Sequence, residues 1–240
     1  MVESFDDSTR DIIATLEKHN IADRTVVIFT SDHGEMLGEK GFWTKSTMYE
    51  SAVRVPLILS GPGLSHGVVA APVSLIDIAP TIAGSLGLDP TPWSGQPLSA
   101  EPDPDRAVIS EYHDGGCPVG ITMVRWGEWK YVHYAQGHPP QLFNLKDDPE
   151  ERDDLSASHG DVLSEGRRRM LDVLDPEAVD ARAHADQARK LEALGGPGEP
   201  AVFDDIGGDS DGESGKRPLA TRAKHRFGRI MGETLLKEEF

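Results

Sequence analysis

The chain has 240 residues, enough for one domain with an appendage, and its 38% hydrophobic content can build a real core. A formal net charge of −17 repels phosphate backbones, so nucleic-acid binding is excluded as a leading reading. The single cysteine, Cys117, rules out an intrachain disulfide, and no apolar run reaches the roughly 18 residues of a membrane helix. The polar start MVESFDDSTR reads as neither a secretory nor a transit signal, so the expected compartment is the cytoplasm, with no membrane partner.

In chain order, residues 8–19 (STRDIIATLEKH) predict an amphipathic helix with Ile12, Ile13 and Leu16 on one face and Ser8 or Asp6 as its cap. TVVIFT at 25–30 is short, β-branched and aromatic, as a strand buried on both faces should be. A helix leading into such a strand predicts an α/β unit with a parallel sheet. Val55–Leu59 is a second strand, stopped by Ser60-Gly61-Pro62-Gly63. SLIDIAPTIAGSL at 74–86 predicts a helix that starts near Asp77, because Pro80 is tolerated only in a first turn, and that ends at Gly87. Residues 88–105 hold five prolines and read as a loop, and 107–112 (AVISEY) as a strand.

The pattern then changes. ITMVRWGEWKYVHYA predicts two strands with a tight turn at Gly127-Glu128, and PQLFNL a third, which together imply an antiparallel α+β subdomain. Residues 160–194 are helical in composition, and from Gly195 a Gly-, Pro- and Asp-rich tail predicts disorder. The expected organisation is therefore 1–105 as an α/β core, 106–194 as the subdomain and 195–240 as tail.

The chemistry gathers after the TVVIFT strand. In open α/β sheets ligands bind beyond the carboxyl ends of the strands, and Asp32-His33 sits there, with Gly34 permitting a sharp turn. A carboxylate and an imidazole are both good ligands for a divalent cation. Taken alone, the tetrapeptide reads more readily as a turn or helix cap than as a site, and Lys45 as a solvated lysine. The long glycine-bearing loop that carries Trp43, Lys45 and Tyr49 between two strands shifts the balance toward function.

The run TVVIFTSDHGEMLGEKGFWTKSTMYESAVRVPLILSGPG closely resembles the sulfatase family of the alkaline-phosphatase-like superfamily, nearest its choline-sulfatase and phosphonate-monoester-hydrolase branch. The resemblance continues through VSLIDIAPTIAGSLGL, SEYHDGG, MVRWGEWKYVHY and QLFNLKDDPEERDDL, over roughly residues 3–155. It implies a partial alkaline-phosphatase-like α/β fold. Asp32 and His33 would then hold a divalent metal (Ca, Mn or Mg), and Lys45 would contact the oxygens of a small sulfate or phosphonate ester; His113, past another strand end, reads as a turn histidine or as a lining residue of the substrate pocket. Glu50 and Arg54 match family positions read as an ion pair beneath the loop.

The family's nucleophile motif, Cys-x-Pro-x-Arg or Ser-x-Pro-x-Arg, is absent; Cys117 is followed at once by Pro118 and has no matching arginine, so it reads as a loop or small core residue. Phe5-Asp6-Asp7 offers acids, but as the acidic start of a helix rather than as two further metal ligands. The expectation is the C-terminal part of a sulfatase, truncated or split, with a complementary N-terminal chain or a homo-oligomer as partner. Alone it should expose an open sheet edge, aggregate and not turn over aryl sulfates. The alternatives are a phosphate or phosphonate monoester hydrolase, and a non-catalytic remnant or partner subunit. Asp209-Ser-Asp-Gly-Glu reads as acidic linker rather than calcium loop, KRPLATRAKHRFGR as a solvated basic tail, and His133 and His138 as ordinary strand and turn residues.

Overall fold

The computed structural model describes residues 2–99, 101–113 and 117–195. The acidic linker around Asp209 and the basic segment after it lie outside the described residues.

Helix α1 (Val2–Lys18) begins earlier than expected, because residues 2–18 contain no glycine or proline to stop it. Ser8 is therefore not its cap: the hydroxyl bonds back to the Ser4 carbonyl at 3.0 Å. Asp6 and Asp7 pair with Arg10 on the same helix, at 3.2 and 2.7 Å. Asn20, with φ 53°, turns the chain out of the helix. Phe5 meets Phe29 edge-on at 5.6 Å, which lays α1 against strand β1 (Val27–Thr30).

β1 pairs with β2 (Leu57–Ser60) in an antiparallel ladder, not the parallel pairing expected. The pair Thr30↔Leu57 shows why: the connection leaves and returns at the same end of the ladder. It contains a 3₁₀ turn at Glu39–Gly41 and the one-turn helix α2 (Glu50–Val53), and has no long helix to cross the sheet, as a parallel return requires. A 3₁₀ turn at Leu75–Asp77 runs into α3 (Ile78–Ser85), which places Pro80 in the first turn as predicted, with Gly87 at φ 70° just beyond the end. Asp77 is fully buried and gathers the following proline-rich segment. Its carboxylate accepts from the backbone N–H of Ser74 at 2.8 Å and of Gln96 at 2.9 Å, and takes both guanidinium arms of Arg106 at 2.7 Å.

The second sheet is an antiparallel meander, β3 (Val108–Tyr112), β4 (Ile121–Trp126), β5 (Trp129–Tyr134) and β6 (Gln141–Asn144), in that order. The Trp126↔Trp129 pair leaves a two-residue turn at Gly127-Glu128, with Gly127 at φ 44°. Both faces are covered. Ile121, Met123, Val132 and Phe143 pack with Met48 on one side. Val124, Trp126, Tyr131 and Leu142 pack with Met170 of α4 (Gly160–Leu171) on the other. Gly166 lets α4 lie directly on the sheet, since a Cβ there would be 2.6 Å from the Tyr131 Cβ. Asp175 accepts from the N–H groups of Glu177 and Ala178 and starts α5 (Pro176–Ala193) with proline in the first turn. None of the described helices is long and apolar enough to cross a membrane.

The two sheets differ in cover. α1 buries no residue, and Ile58, Val69, Ile76 and Leu86 are all more than half exposed. Among the described residues β1 and β2 each keep an open edge. An apolar ladder with two free edges is a template for further pairing. The purified chain is expected to sediment as concentration-dependent oligomers and to bind a hydrophobic dye, and Ile58→Lys should reduce both. A wild-type chain that sediments as a dye-free monomer would show that this face is not sticky.

Candidate active site

β1 ends at Thr30, and Ser31 begins the turn that exposes Asp32 and His33. The Ser31 hydroxyl donates to the His33 carbonyl at 2.9 Å, and the His33 N–H donates to Asp32 Oδ1 at 3.0 Å. Gly34 then seats the turn on α2, its N–H donating to the Ala52 carbonyl at 2.8 Å. A Cβ on Gly34 would lie 2.0 Å from the Ser51 carbonyl oxygen, so only glycine fits this approach.

The imidazole is oriented by a backbone acceptor. Nδ1 of His33 lies 2.8 Å from the Gly34 carbonyl, which accepts only, so Nδ1 carries the proton and Nε2 presents a lone pair. Two groups meet that lone pair: Asp32 Oδ2 at 3.4 Å and the Lys45 ammonium at 2.6 Å, which donates to it. Desolvation pushes the Asp32 carboxyl up, but the hydrogen bonds from the His33 backbone N–H and the Ser31 hydroxyl act against it, and its pKa lies below the ordinary value.

Lys45 is delivered by a strained loop. Leu37, Lys40 and Thr44 all have positive φ without being glycine. The loop holds this shape because Met36 is completely buried and its N–H donates to the Thr44 carbonyl at 2.8 Å, while Glu35 accepts from the Thr44 N–H at 2.5 Å. Trp43, at the loop's tip, is largely exposed. Asp32, His33 and Lys45 line one wall of a cleft of about 1190 Å³ between the two sheets, with Arg54, Glu111 and Arg125 also on its walls.

The other expected residues fall elsewhere. His113 does not line this cleft. Its ring packs against Gly120, with Nε2 3.3 Å from Glu111 Oε1, because β3 ends with that side chain turned toward the loop before β4. The expected Glu50–Arg54 ion pair is not formed. Arg54 is exposed at the end of α2, and Glu50 turns inward, its carboxylate 2.6 Å from the Lys130 ammonium. Cys117 is half-buried and donates to the Val119 carbonyl; burial pushes its thiol up, away from nucleophilic character. His133 pairs with Glu177 at 3.0 Å.

Sequence reasoning missed Lys130 and Glu151. Lys130 is fully buried in β5, and Glu151, also buried, adopts φ 55°. The available signal was a lysine inside WKYVHY, a run otherwise free of strong charge and buried on both faces.

The sulfatase family profile matches residues 1–88. A choline-sulfatase of Rhizobium meliloti is 34% identical over 79% of this chain and 39% of its own length, and the arylsulfatase K of Danio rerio is 36% identical over 77% and 38%. The chain belongs to the sulfatase family. Among solved structures, the phosphonate monoester hydrolase of Silicibacter pomeroyi superposes with a TM-score of 0.60 at 29% identity, over 67% of this chain and 37% of that one. The hydrolase from Agrobacterium radiobacter gives 0.61 at 27%, over 72% and 39%. This sulfatase chain thus spans less than half the length of these relatives, and its mixed helices and sheets fit their α/β fold.

The donor set can be tested against a divalent cation. A metal-bound histidine characteristically donates its other N–H to a backbone carbonyl, as His33 does to Gly34. Asp32 adds a carboxylate oxygen beside the free lone pair. The two fit a cation in kind but not in number: among the described residues no group of three or more His, Cys, Asp or Glu side chains converges. With the Asp32 side chain 84% exposed, the pair alone makes a weak site.

Proposed function

We propose that this chain supplies the Asp32–His33–Lys45 portion of a centre for metal-assisted hydrolysis of sulfate monoesters, with a formylglycine nucleophile carried on residues outside this sequence. The observation that carries the reading is the convergence on one point, His33 Nε2, of a carboxylate at 3.4 Å and an ammonium at 2.6 Å. Bound there, a divalent cation would polarise an ester oxygen and neutralise developing charge. Asp32 and His33 would hold it. With His33 Nε2 engaged in this way, the Lys45 N–H groups, which here donate to that nitrogen, would be available to the non-bridging oxygens of the ester. As the S–O bond breaks, charge builds on the leaving oxygen, and a positive charge held beside the ester favours that build-up. The phosphonate-monoester-hydrolase neighbours support a second reading, a phosphate or phosphonate monoester at the same residues.

Calorimetric titration of the full chain with Mn²⁺ and then with sulfate tests this. Asp32→Ala should abolish the metal heat. Lys45→Ala should keep the metal heat and weaken sulfate binding about tenfold, the scale of one charge-assisted hydrogen bond. Tighter binding of methylphosphonate than of sulfate would favour the second reading. Wild-type heats that persist unchanged in both variants would rule out the site.

A further inference from the structure

We propose that Lys130 is a positioning residue for Asp32, His33 and Lys45; the inference rests on reading those three as the functional site. Lys130 is fully buried, and its ammonium has three N–H groups and three acceptors: the Met48 carbonyl at 2.8 Å, Glu50 Oε1 at 2.6 Å and Glu151 Oε1 at 2.7 Å. Two of these acceptors lie on the segment that joins Lys45 to α2. The third acts on the same segment, since Glu151 Oε2 accepts from the Glu50 N–H at 2.7 Å, and on the loop before it, since the Glu151 carbonyl accepts from Lys40 at 2.5 Å. Lys40 also lies over the Tyr49 ring, 4.8 Å from its centre.

The pinned segment touches both halves of the site. On one side it continues back from Met48 to Lys45. On the other, α2 presents the Ala52 carbonyl to the Gly34 N–H and the Ser51 carbonyl to the place where a Gly34 side chain would be. Gly34 in turn accepts from His33 Nδ1 and sets which imidazole nitrogen is free. Fold stability alone does not call for this arrangement. A buried ion pair such as Lys130–Glu151 costs its desolvation, and apolar residues packed in the same space are commonly as stable or more so. What they cannot supply is direction: three acceptors converging on one cation fix where the Met48 carbonyl and the start of α2 point.

The test reads His33 directly. Long-range proton–nitrogen spectra of the full chain, assigned by the loss of signals in His33→Gln, should show Nε2 as a hydrogen-bonded acceptor in the wild type. Lys130→Met should shift or split the His33 signals and weaken sulfate binding tenfold to a hundredfold, the scale of a misplaced binding group. Lys130→Arg, which keeps the cation, should recover part of both. Where Lys130→Met fails to fold, Glu50→Ala serves instead, because it leaves the Lys130–Glu151 pair intact and removes the strap to α2. Folded Lys130→Met or Glu50→Ala with wild-type His33 signals would overturn the proposal and leave Lys130 a stability residue only. The spectra need no added ligand, so a wild type that binds no sulfate would count against the functional reading and not against the positioning.

Discussion

Asp77→Asn is expected to lower the stability of the fold by about 3 kcal/mol, the usual cost of removing one partner from a buried ion pair. The carboxylate is fully buried, with two backbone donors and a two-pronged guanidinium around it. An asparagine of the same size keeps one acceptor oxygen and turns an N–H₂ group toward neighbours that are themselves donors. Arg106, only 14% exposed, is left without its counter-charge. The local consequence is a looser hold of α3 on the proline-rich segment, because Gln96 and Arg106 are both held by this one side chain while the Leu98 N–H bond to the Thr81 hydroxyl stays. Val73 to Ile76, just before Asp77, form part of the cleft wall, so the loss reaches the site. Urea denaturation of wild type and variant measures the difference.

The pH dependence follows with a definite sign. Burial pushes the Asp77 carboxyl up, but Arg106 and the N–H groups of Ser74 and Gln96 outweigh it, so its folded pKa lies below the ordinary value. A depressed carboxyl contributes its full stability above the unfolded pKa, about 3.9, and loses it as pH falls through the folded pKa. The wild-type and Asp77→Asn curves should therefore converge on acidification below about pH 4. A gap that stays constant along the acid limb would show that the charge is not what this position uses.

Gly34→Ala is expected to weaken Mn²⁺ or sulfate affinity about a hundredfold without touching a ligating side chain, with a stability cost of about 1–3 kcal/mol. The glycine is required by space, not by torsion, since Gly34 is absent from the positive-φ positions. The added methyl would meet the backbone of Ser51 at 2.0 Å and of Ala52 at 3.3 Å, and backbone does not swing aside as a side-chain tip can. Either the Asp-His turn lifts off α2 or α2 itself moves. In both cases the Gly34 carbonyl leaves His33 Nδ1, and the imidazole loses the bond that presents Nε2. Calorimetry together with the His33 nitrogen signals would register it. Unchanged affinity in Gly34→Ala would mean that the turn is not what aims His33.

Much of this was legible in the residues. TVVIFT and the ITMVRW–WKYVHY hairpin announce strands through β-branched and aromatic content, Gly127-Glu128 announces its own turn, and the expected strand at Val55–Leu59 forms shifted to Leu57–Ser60. Pro80 marks the first turn of α3. Asp32 and His33 could be singled out because they follow a strand end, and Lys45 because it sits in a long loop. The edges of α1 were less legible, because an acidic, breaker-free stretch carries no sharp start signal.

The sequence by itself determined which segments are strand and helix, and that a carboxylate, an imidazole and an ammonium lie close along the chain near one strand end. Those properties are local: they depend on periodicity, torsional preference and position beside a turn. Only the tertiary structure decided that β1 and β2 run antiparallel, that Glu50 pairs with Lys130 and not with Arg54, and that His113 lies away from the cleft. These depend on where distant segments meet. Glu50 and Lys130 are neighbours because Met48 packs onto the second sheet and carries the start of α2 with it, and no pattern within either segment encodes that contact.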